Sequence, residues 1–399
     1  MRPVATANAQ SEPEFAAMVD ALAADPDRRD RLMDLLREDN PVYDQRGAAA
    51  IVRMRGWLLV ALARAGVSDA ALIFVLEELD TGVDAYLVAA AARALRSCPN
   101  PTESLAPFVM RALTQIRYRD EPVCFEHYGE YAVSSTGTSP VRELLATLAW
   151  LGPRARGVLP ELEALRAQGS GLAKKFRIDI DRALHAIRRA DQVDEPATGS
   201  CCAPPAGLGD TVSRPLDSRG GVETIESLVF EDHRGDRIAF KEFFRGQPSI
   251  VVFFYTRCDN PMKCSLTVTK LARMQKLLEA QGLSDRIHTA AISYDPAFDL
   301  PERLRVYGQD RGVVMNAHHR LLRATGGMDA LCAHFGLGVN FIESLVNRHR
   351  IEAYILDAEG RIAVSFERIH WDEQEVVSRA VEVLEERGSC GDTRAQGAD

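Results

Sequence analysis

Cys258 and Cys264 are the residues of this chain whose type and spacing offer chemistry most directly. They stand in TRCDNPMKCS with five residues between them. Two neighbouring thiols can hold a soft metal ion or cycle between dithiol and disulfide. Either use needs the thiolate. The local sequence favours it. SIVVFFY, from Ser249 to Tyr255, is short and rich in β-branched and aromatic residues, and reads as a strand buried on both faces. From Ser265 onward Leu266, Leu271, Met274, Leu277 and Leu278 recur at helical spacing. Strand, cysteine loop and helix therefore follow in order. Both sulfurs fall at a helix N-terminus, whose partial positive charge stabilises thiolates, and Arg257 and Lys263 add to it. Met262, in the same loop, is either a thioether ligand or an ordinary loop residue.

The rest of the chain bounds what such a site can serve. It has 399 residues, enough for two or three domains. Hydrophobic residues at 46% and charged residues at 26% exclude a wholly disordered or collagen-like chain. A net charge of −9 argues against a nucleic-acid partner held by a broad basic face. No apolar run approaches the roughly 18 residues of a membrane helix. The first thirty residues hold no continuous apolar stretch of the secretory kind. The expectation is a cytoplasmic protein with no membrane span. Eight cysteines are too few for a disulfide scaffold, so most should be reduced thiols.

Two textures divide the chain. Residues 12–190 are rich in Ala, Leu and Arg with helical periodicity throughout. Residues 191–222 are dominated by Gly, Pro, Ser and Asp and read as a linker. Residues 223–388 alternate β-branched runs with helical patterns, which reads as α/β. Residues 389–399 read as a frayed tail. The first half repeats. Leu62–Leu79, Leu95–Leu113 and Leu148–Leu165 each show a helix end, a Gly, Pro or Asn turn, and a second apolar helix. Such units cannot bury their apolar faces alone and must stack. A helix from Phe176 to Arg189 would close the stack. The third unit, VRELLATLAWLGPRARGVLPELEAL, resembles a HEAT repeat in its GPRA turn and in Pro160. Residues 116–140 interrupt the pattern and bring Cys124 and His127. They are either an ordinary loop insertion or a binding loop.

The cysteine placement is similar to that of thioredoxin-like domains, although those use C-x-x-C and a proline before a later strand, neither of which is found here. A longer stretch, from Ile225 to Leu384, resembles the Sco/SenC family of thioredoxin-like copper proteins. SLVFEDHRGDRIAF followed by KEFFRGQPSIVVFFYTRC resembles the family's entry hairpin and its approach to the first cysteine. ISYDPAFDLPERLRVY resembles the family's acidic stretch, with Asp295 and Asp299 at the matching acids. MDALCAHFG resembles the helix that follows, and HRIEAYILDAEGRI the histidine segment. The resemblance implies a copper site made by Cys258, Cys264 and His349, with a role in assembling copper centres. Two thiolates and an imidazole suit Cu(I), and protons should compete for them.

The remaining candidates have plain alternatives. Asp295 is either an N-cap for a helix over 297–309 or an auxiliary site residue. Cys332 and His334 fit a core role, whereas His318 and His319 should be exposed, with metal binding as the alternative. Cys98 has no assigned function. Cys201 and Cys202 are adjacent soft donors in the linker, either incidental or able to reach the copper site, and Cys390 in the tail has the same status. The expected architecture is an all-α HEAT-like helical repeat domain followed by an α/β thioredoxin-like domain. The expected function is copper binding, with delivery to or use on a protein or peptide client held by the repeats. Two alternatives stand beside it. One is a thiol–disulfide or copper-dependent oxidoreductase. The other is a scaffold in which the repeats do the work.

Overall fold

The computed structural model describes residues 10–28, 30–129, 137–167, 172, 174–189, 214–215, 222–343 and 345–395. The chain forms two compact units, Met1–Gly209 and Asp210–Asp399. Among the described residues no helix is long and apolar enough to cross a membrane. Cys201 and Cys202 lie outside the described residues.

The first unit is helical. Its helices are α1 (Glu12–Ala24), α2 (Asp30–Leu35), α3 (Ala48–Ala65), α4 (Asp69–Thr81), α5 (Ala85–Leu95), α6 (Ala106–Ile116), α7 (Pro140–Leu151), α8 (Leu159–Arg166) and α9 (Arg177–Arg188). Their starts are chemically marked. Ser11 and Glu14 make a capping box on α1, and Ser68, Asp84 and Ser139 cap α4, α5 and α7. The odd-numbered helices α1, α3, α5, α7 and α9 pack successively on one another, and α4 and α6 form a second layer beside them. Each sequence repeat spans a helix end, a turn and the next helix. The α3–α5 approach is close because Gly56 has no side chain. A Cβ there would stand 2.1 Å from Cε1 of Tyr86, itself fully buried.

The described ends of the insertion pack down on this layer. The Tyr128 hydroxyl donates to Glu12 Oε2 at 2.9 Å and its ring meets Trp57 edge-on at 6.0 Å. Phe125 lies 5.7 Å from the ring of Tyr86. Val123 and Thr138 close the base as an antiparallel bridge. Cys124 is half-buried and His127 exposed.

The second unit is a mixed sheet with helices. Its elements are β1 (Arg214–Pro215), β2 (Val229–Asp232), β3 (Arg237–Ala239), α10 (Phe240–Phe244), β4 (Ser249–Phe254), α11 (Leu266–Ala280), β5 (His288–Ser293), α12 (Pro301–Asp310), β6 (His319–Ala324), α13 (Met328–Phe335), β7 (Val339–Ile342), β8 (Leu345–His349), β9 (Glu352–Leu356), β10 (Ile362–Glu367) and α14 (Glu373–Ala395). The main sheet runs β1-β10-β9-β4-β5-β6-β2-β3. Strands β4, β5 and β6 are parallel, and β9 is antiparallel to β4. Every residue of β4 and β9 is buried, as continuous apolar runs at a sheet centre must be. Helix α11 packs on β4, β5 and α14. This is the thioredoxin-like arrangement the sequence leads one to expect.

Two boundaries differ from expectation. Arg214 and Pro215, inside the stretch read as a linker, pair with Ser365 and Val364 of β10. Val222 is also buried, so ordered packing begins before Glu223. At the other end α14 continues to Ala395, through much of the stretch read as a tail.

Candidate metal centre

Cys258 and Cys264 follow the carboxyl end of β4, and His349 ends β8 in the separate β7–β8 hairpin. The structure brings these three together. One ligand atom from each lies within 4.8 Å of those of the other two. His349 Nε2 is 3.4 Å from Cys264 Sγ and 3.6 Å from Cys258 Sγ. The other ring nitrogen, Nδ1, is 2.8 Å from the carbonyl oxygen of Arg350. A carbonyl only accepts, so Nδ1 carries a hydrogen, and Nε2 is the nitrogen turned to the two sulfurs. With a hydrogen, Nε2 donates to the Cys258 thiolate; with that hydrogen displaced, its lone pair faces both sulfurs, the orientation a metal-ligating histidine needs.

The cysteines are not equivalent. Cys264 is fully buried, and the backbone N–H of Tyr255 donates to its sulfur at 3.4 Å. Burial pushes its thiol well up, and the neighbouring Cys258 sulfur pushes it further. Cys258 is half-buried, and its thiol is brought down to about 3. The largest cause is a hydrogen bond with Cys264, followed, against the cost of burial, by the contact with His349. One sulfur is thus a ready thiolate and the other a protonated donor. Both are free thiols.

The cationic side chains act differently from the expectation. Arg257 turns to Asp295, its Nε donating at 3.0 Å, and lies over Phe298 with 4.1 Å to the ring centroid. Lys263 donates from Nζ to the carbonyl oxygen of His349 at 2.6 Å. It therefore joins the cysteine turn to the hairpin. Pro261–Ser265 form a π-type turn with a kink at Lys263, so Cys264 lies inside the helical entry and not in an open loop.

Asp295 does not cap a helix. The helix begins at Pro301 with Leu300 as its flanking residue, because proline suits the first helical position. Asp295 is buried beside Arg257 and lies outside the ligand trio. Asp299 does the local tying. It accepts from the Thr256 N–H at 3.1 Å and from the hydroxyls of Thr256 and Ser293. Burial raises its pKa even so. Met262 is half-buried in the turn, with its N–H donating to Asn260 Oδ1 at 2.9 Å.

Sequence reasoning missed the supports of His349. The rings of Tyr255 and Tyr294 flank it, each centroid 5.4 Å away. Glu352, fully buried, accepts from the Gly338 N–H at 2.7 Å and from Arg350 Nε at 2.8 Å. That anchors the backbone just after the histidine. An acid opening the apolar run EAYIL is the signal that could have found it.

The histidines expected to be exposed are not. His319 is buried, its Nδ1 3.0 Å from Thr289 Oγ1, because the parallel pairing of β5 and β6 sets these residues opposite each other. His318 is half-buried. Cys332 and His334 are half-buried, Cys332 packing against the core, while Cys98 is buried.

Comparison with known proteins places the second unit. A sequence model of the family SCO1/SenC matches residues 217–385. No curated protein matches the chain. Among solved structures, yeast Sco1 is 24% identical, with 43% of this chain and 97% of that one covered and a TM-score of 0.33. Arabidopsis thaliana ScoI, solved with copper bound, is 20% identical over 42% and 99%, with a TM-score of 0.33. BsSco, described as carrying a disulfide switch and as a member of the Sco family of cytochrome c oxidase assembly proteins, is 16% identical over 43% and 96%, with a TM-score of 0.36. Residues 217–385, which contain the Cys258, Cys264 and His349 cluster, match the SCO1/SenC family model.

Proposed function

We propose that the second unit binds copper as Cu(I) through Cys258 Sγ, Cys264 Sγ and His349 Nε2, and delivers it to, or uses it on, a protein or peptide partner engaged by the helical unit. The observation that carries this reading is the convergence of three soft or borderline donor atoms within 4.8 Å of one another. Thiolates select Cu(I), and imidazole accepts copper readily. The family whose model matches residues 217–385 includes proteins solved with copper bound, ScoI of Arabidopsis among them. A three-coordinate ion held in a turn beside a half-buried cysteine is open to ligand exchange with an incoming thiol or thioether. Helical stacks provide extended surfaces for partners, which supports the role given to the first unit. The test is His349→Ala in the full chain. Copper affinity should fall by an order of magnitude or more with the circular dichroism unchanged. Undiminished affinity would refute the ligand assignment.

A second reading rests on the asymmetry of the two thiols. The Cys258 thiolate would attack a partner disulfide, releasing one partner sulfur as thiolate and forming a mixed disulfide. Cys264 would then lose its proton and displace the second partner sulfur, leaving a Cys258–Cys264 disulfide and a reduced partner. Reduced protein that leaves a model disulfide substrate intact would exclude this role.

A further inference from the structure

We infer that His288 and His318 form a second metal site, taking a divalent ion of the zinc type (Zn2+, Ni2+ or Cu2+) at the end of the sheet opposite the cysteines. The site is built by strand register. Thr289 of β5 pairs with His319 of β6 in the parallel ladder. The residues one position earlier, His288 and His318, are therefore neighbours, and alternation turns them to the other face from Thr289 and His319. They stand at the amino ends of strands whose carboxyl ends lie towards the cysteine turn. The six residues of β5 set the two places roughly 17–20 Å apart.

The geometry is that of a chelate. His288 Nε2 lies 3.3 Å from His318 Nδ1. Two nitrogens bound to one tetrahedral ion at about 2.05 Å stand about 3.3 Å apart, the separation the two rings already have. The tautomer of His288 is determined. Its Nδ1 is 3.0 Å from the carbonyl oxygen of Phe243, which only accepts, so Nδ1 carries the hydrogen and Nε2 presents a lone pair to His318. A ring nitrogen donating to a backbone carbonyl is also the usual support of a metal-bound histidine. His288 stacks on Phe243 with centroids 5.0 Å apart. His318 is held by its backbone: its N–H donates to Asn316 Oδ1 at 2.8 Å and its carbonyl accepts from the Thr289 N–H at 3.0 Å.

Without metal, a hydrogen on His318 Nδ1 bridges the two rings by donating to His288 Nε2. On metal binding the His318 hydrogen moves to Nε2, both facing nitrogens become ligands, and no net proton is released. The nearby Arg320 is neutralised by Asp232 at 2.5 Å. Among the described residues no carboxylate, thiol or further imidazole completes a three-ligand group here, so water fills the remaining positions. Both histidines are half-buried, which leaves a path for the ion and its waters.

The experiment uses the full chain carrying Cys258→Ser and Cys264→Ser, which removes the competing thiolates of the first site. Zn2+ is titrated against a chromophoric chelator at pH 7.5 into this parent and into the same protein with His288→Gln, with His318→Gln, or with His185→Gln as an exposed control. The parent and the His185→Gln protein should bind one equivalent more than either of the other two. Equal stoichiometry and affinity in all four would overturn the proposal. Imidazole 15N shifts of the parent supply a reading that needs no further substitution. Zn2+ should move His288 Nε2 and His318 Nδ1, and unmoved resonances with Zn2+ bound would overturn it as well.

Discussion

The ammonium group of Lys263 donates to the backbone carbonyl of His349 at 2.6 Å. This contact spans the gap between the turn that carries the cysteines and the hairpin that carries the histidine. It holds the third ligand at its distance from the other two, and it buries a lysine head whose replacement leaves that carbonyl without its donor. Lys263→Met should weaken Cu(I) binding about tenfold, in line with other supports of metal ligands. Lys263→Arg, which keeps a cationic donor, should weaken it less. A competition titration in which Lys263→Met matches the unaltered protein would show that Lys263 does not position His349.

Cys258 should react as a thiolate well below neutral pH. Its thiol is held at about 3 by Cys264 and His349. Alkylation of reduced protein with iodoacetamide should therefore proceed at Cys258 at a nearly constant rate between pH 5 and pH 8. An ordinary thiol loses about tenfold in rate per pH unit over that range. Cys264, fully buried, should remain unmodified in the folded protein. Peptide mapping that shows a tenfold fall per unit at Cys258 would contradict the thiolate.

Acid should loosen the second unit as its buried histidines are forced to take up protons. Burial, with help from His318 and His288, brings His319 down to about 4. Between that value and the ordinary histidine value near 6.5 the unfolded chain binds a proton that the native chain does not. Stability is therefore full above about 6.5 and falls as the pH drops towards 4. His319 alone contributes a loss of about 1–2 kcal/mol by pH 5. His233 and His288 are lowered by burial and add in the same sense, whereas Asp299 and Glu352, raised by burial, take up protons in the native chain above their ordinary values and act oppositely there. Urea unfolding at pH 7.5 and pH 5.0 should show this slope, and His319→Asn should flatten it. An unchanged slope in the variant would place the effect elsewhere.

The helical unit has its own tight point. Gly56→Ala would drive a methyl group into the buried ring of Tyr86. Overpacking of this kind costs about 1–3 kcal/mol, more than the helix-propensity gain of about 1 kcal/mol from replacing glycine. Thermal unfolding should show a lower midpoint for Gly56→Ala, and Tyr86→Leu should relieve part of the loss. A midpoint raised by Gly56→Ala alone would mean that the two helices yield.

Much of the fold is legible in the residues themselves. SIVVFFY announces a sheet centre because only a strand buried on both faces is apolar throughout, and the helical spacing from Leu266 places the cysteines between them. His349 is reached through resemblance alone, since no local pattern marks a single histidine in VNRHRIEA. Lys263 can be read as a charge near the sulfurs but not as a strut, because its partner is a backbone carbonyl 86 residues along the chain. His318 and His319 read as exposed polar residues. Their burial depends on the register of two strands separated by α12, which a linear pattern does not carry. Asp295 reads as a cap because it precedes a helical stretch, yet Pro301 offers a better first helical residue and moves the start.

The proposed site of Cys258, Cys264 and His349 holds one copper ion. This is tested most directly by anaerobic Cu(I) titration of the reduced protein against a competing chelator, beside the Cys258→Ser/Cys264→Ser double variant. One tight equivalent is expected in the unaltered protein and none in the variant. Equal binding in the two proteins, or no tight binding in either, would contradict it.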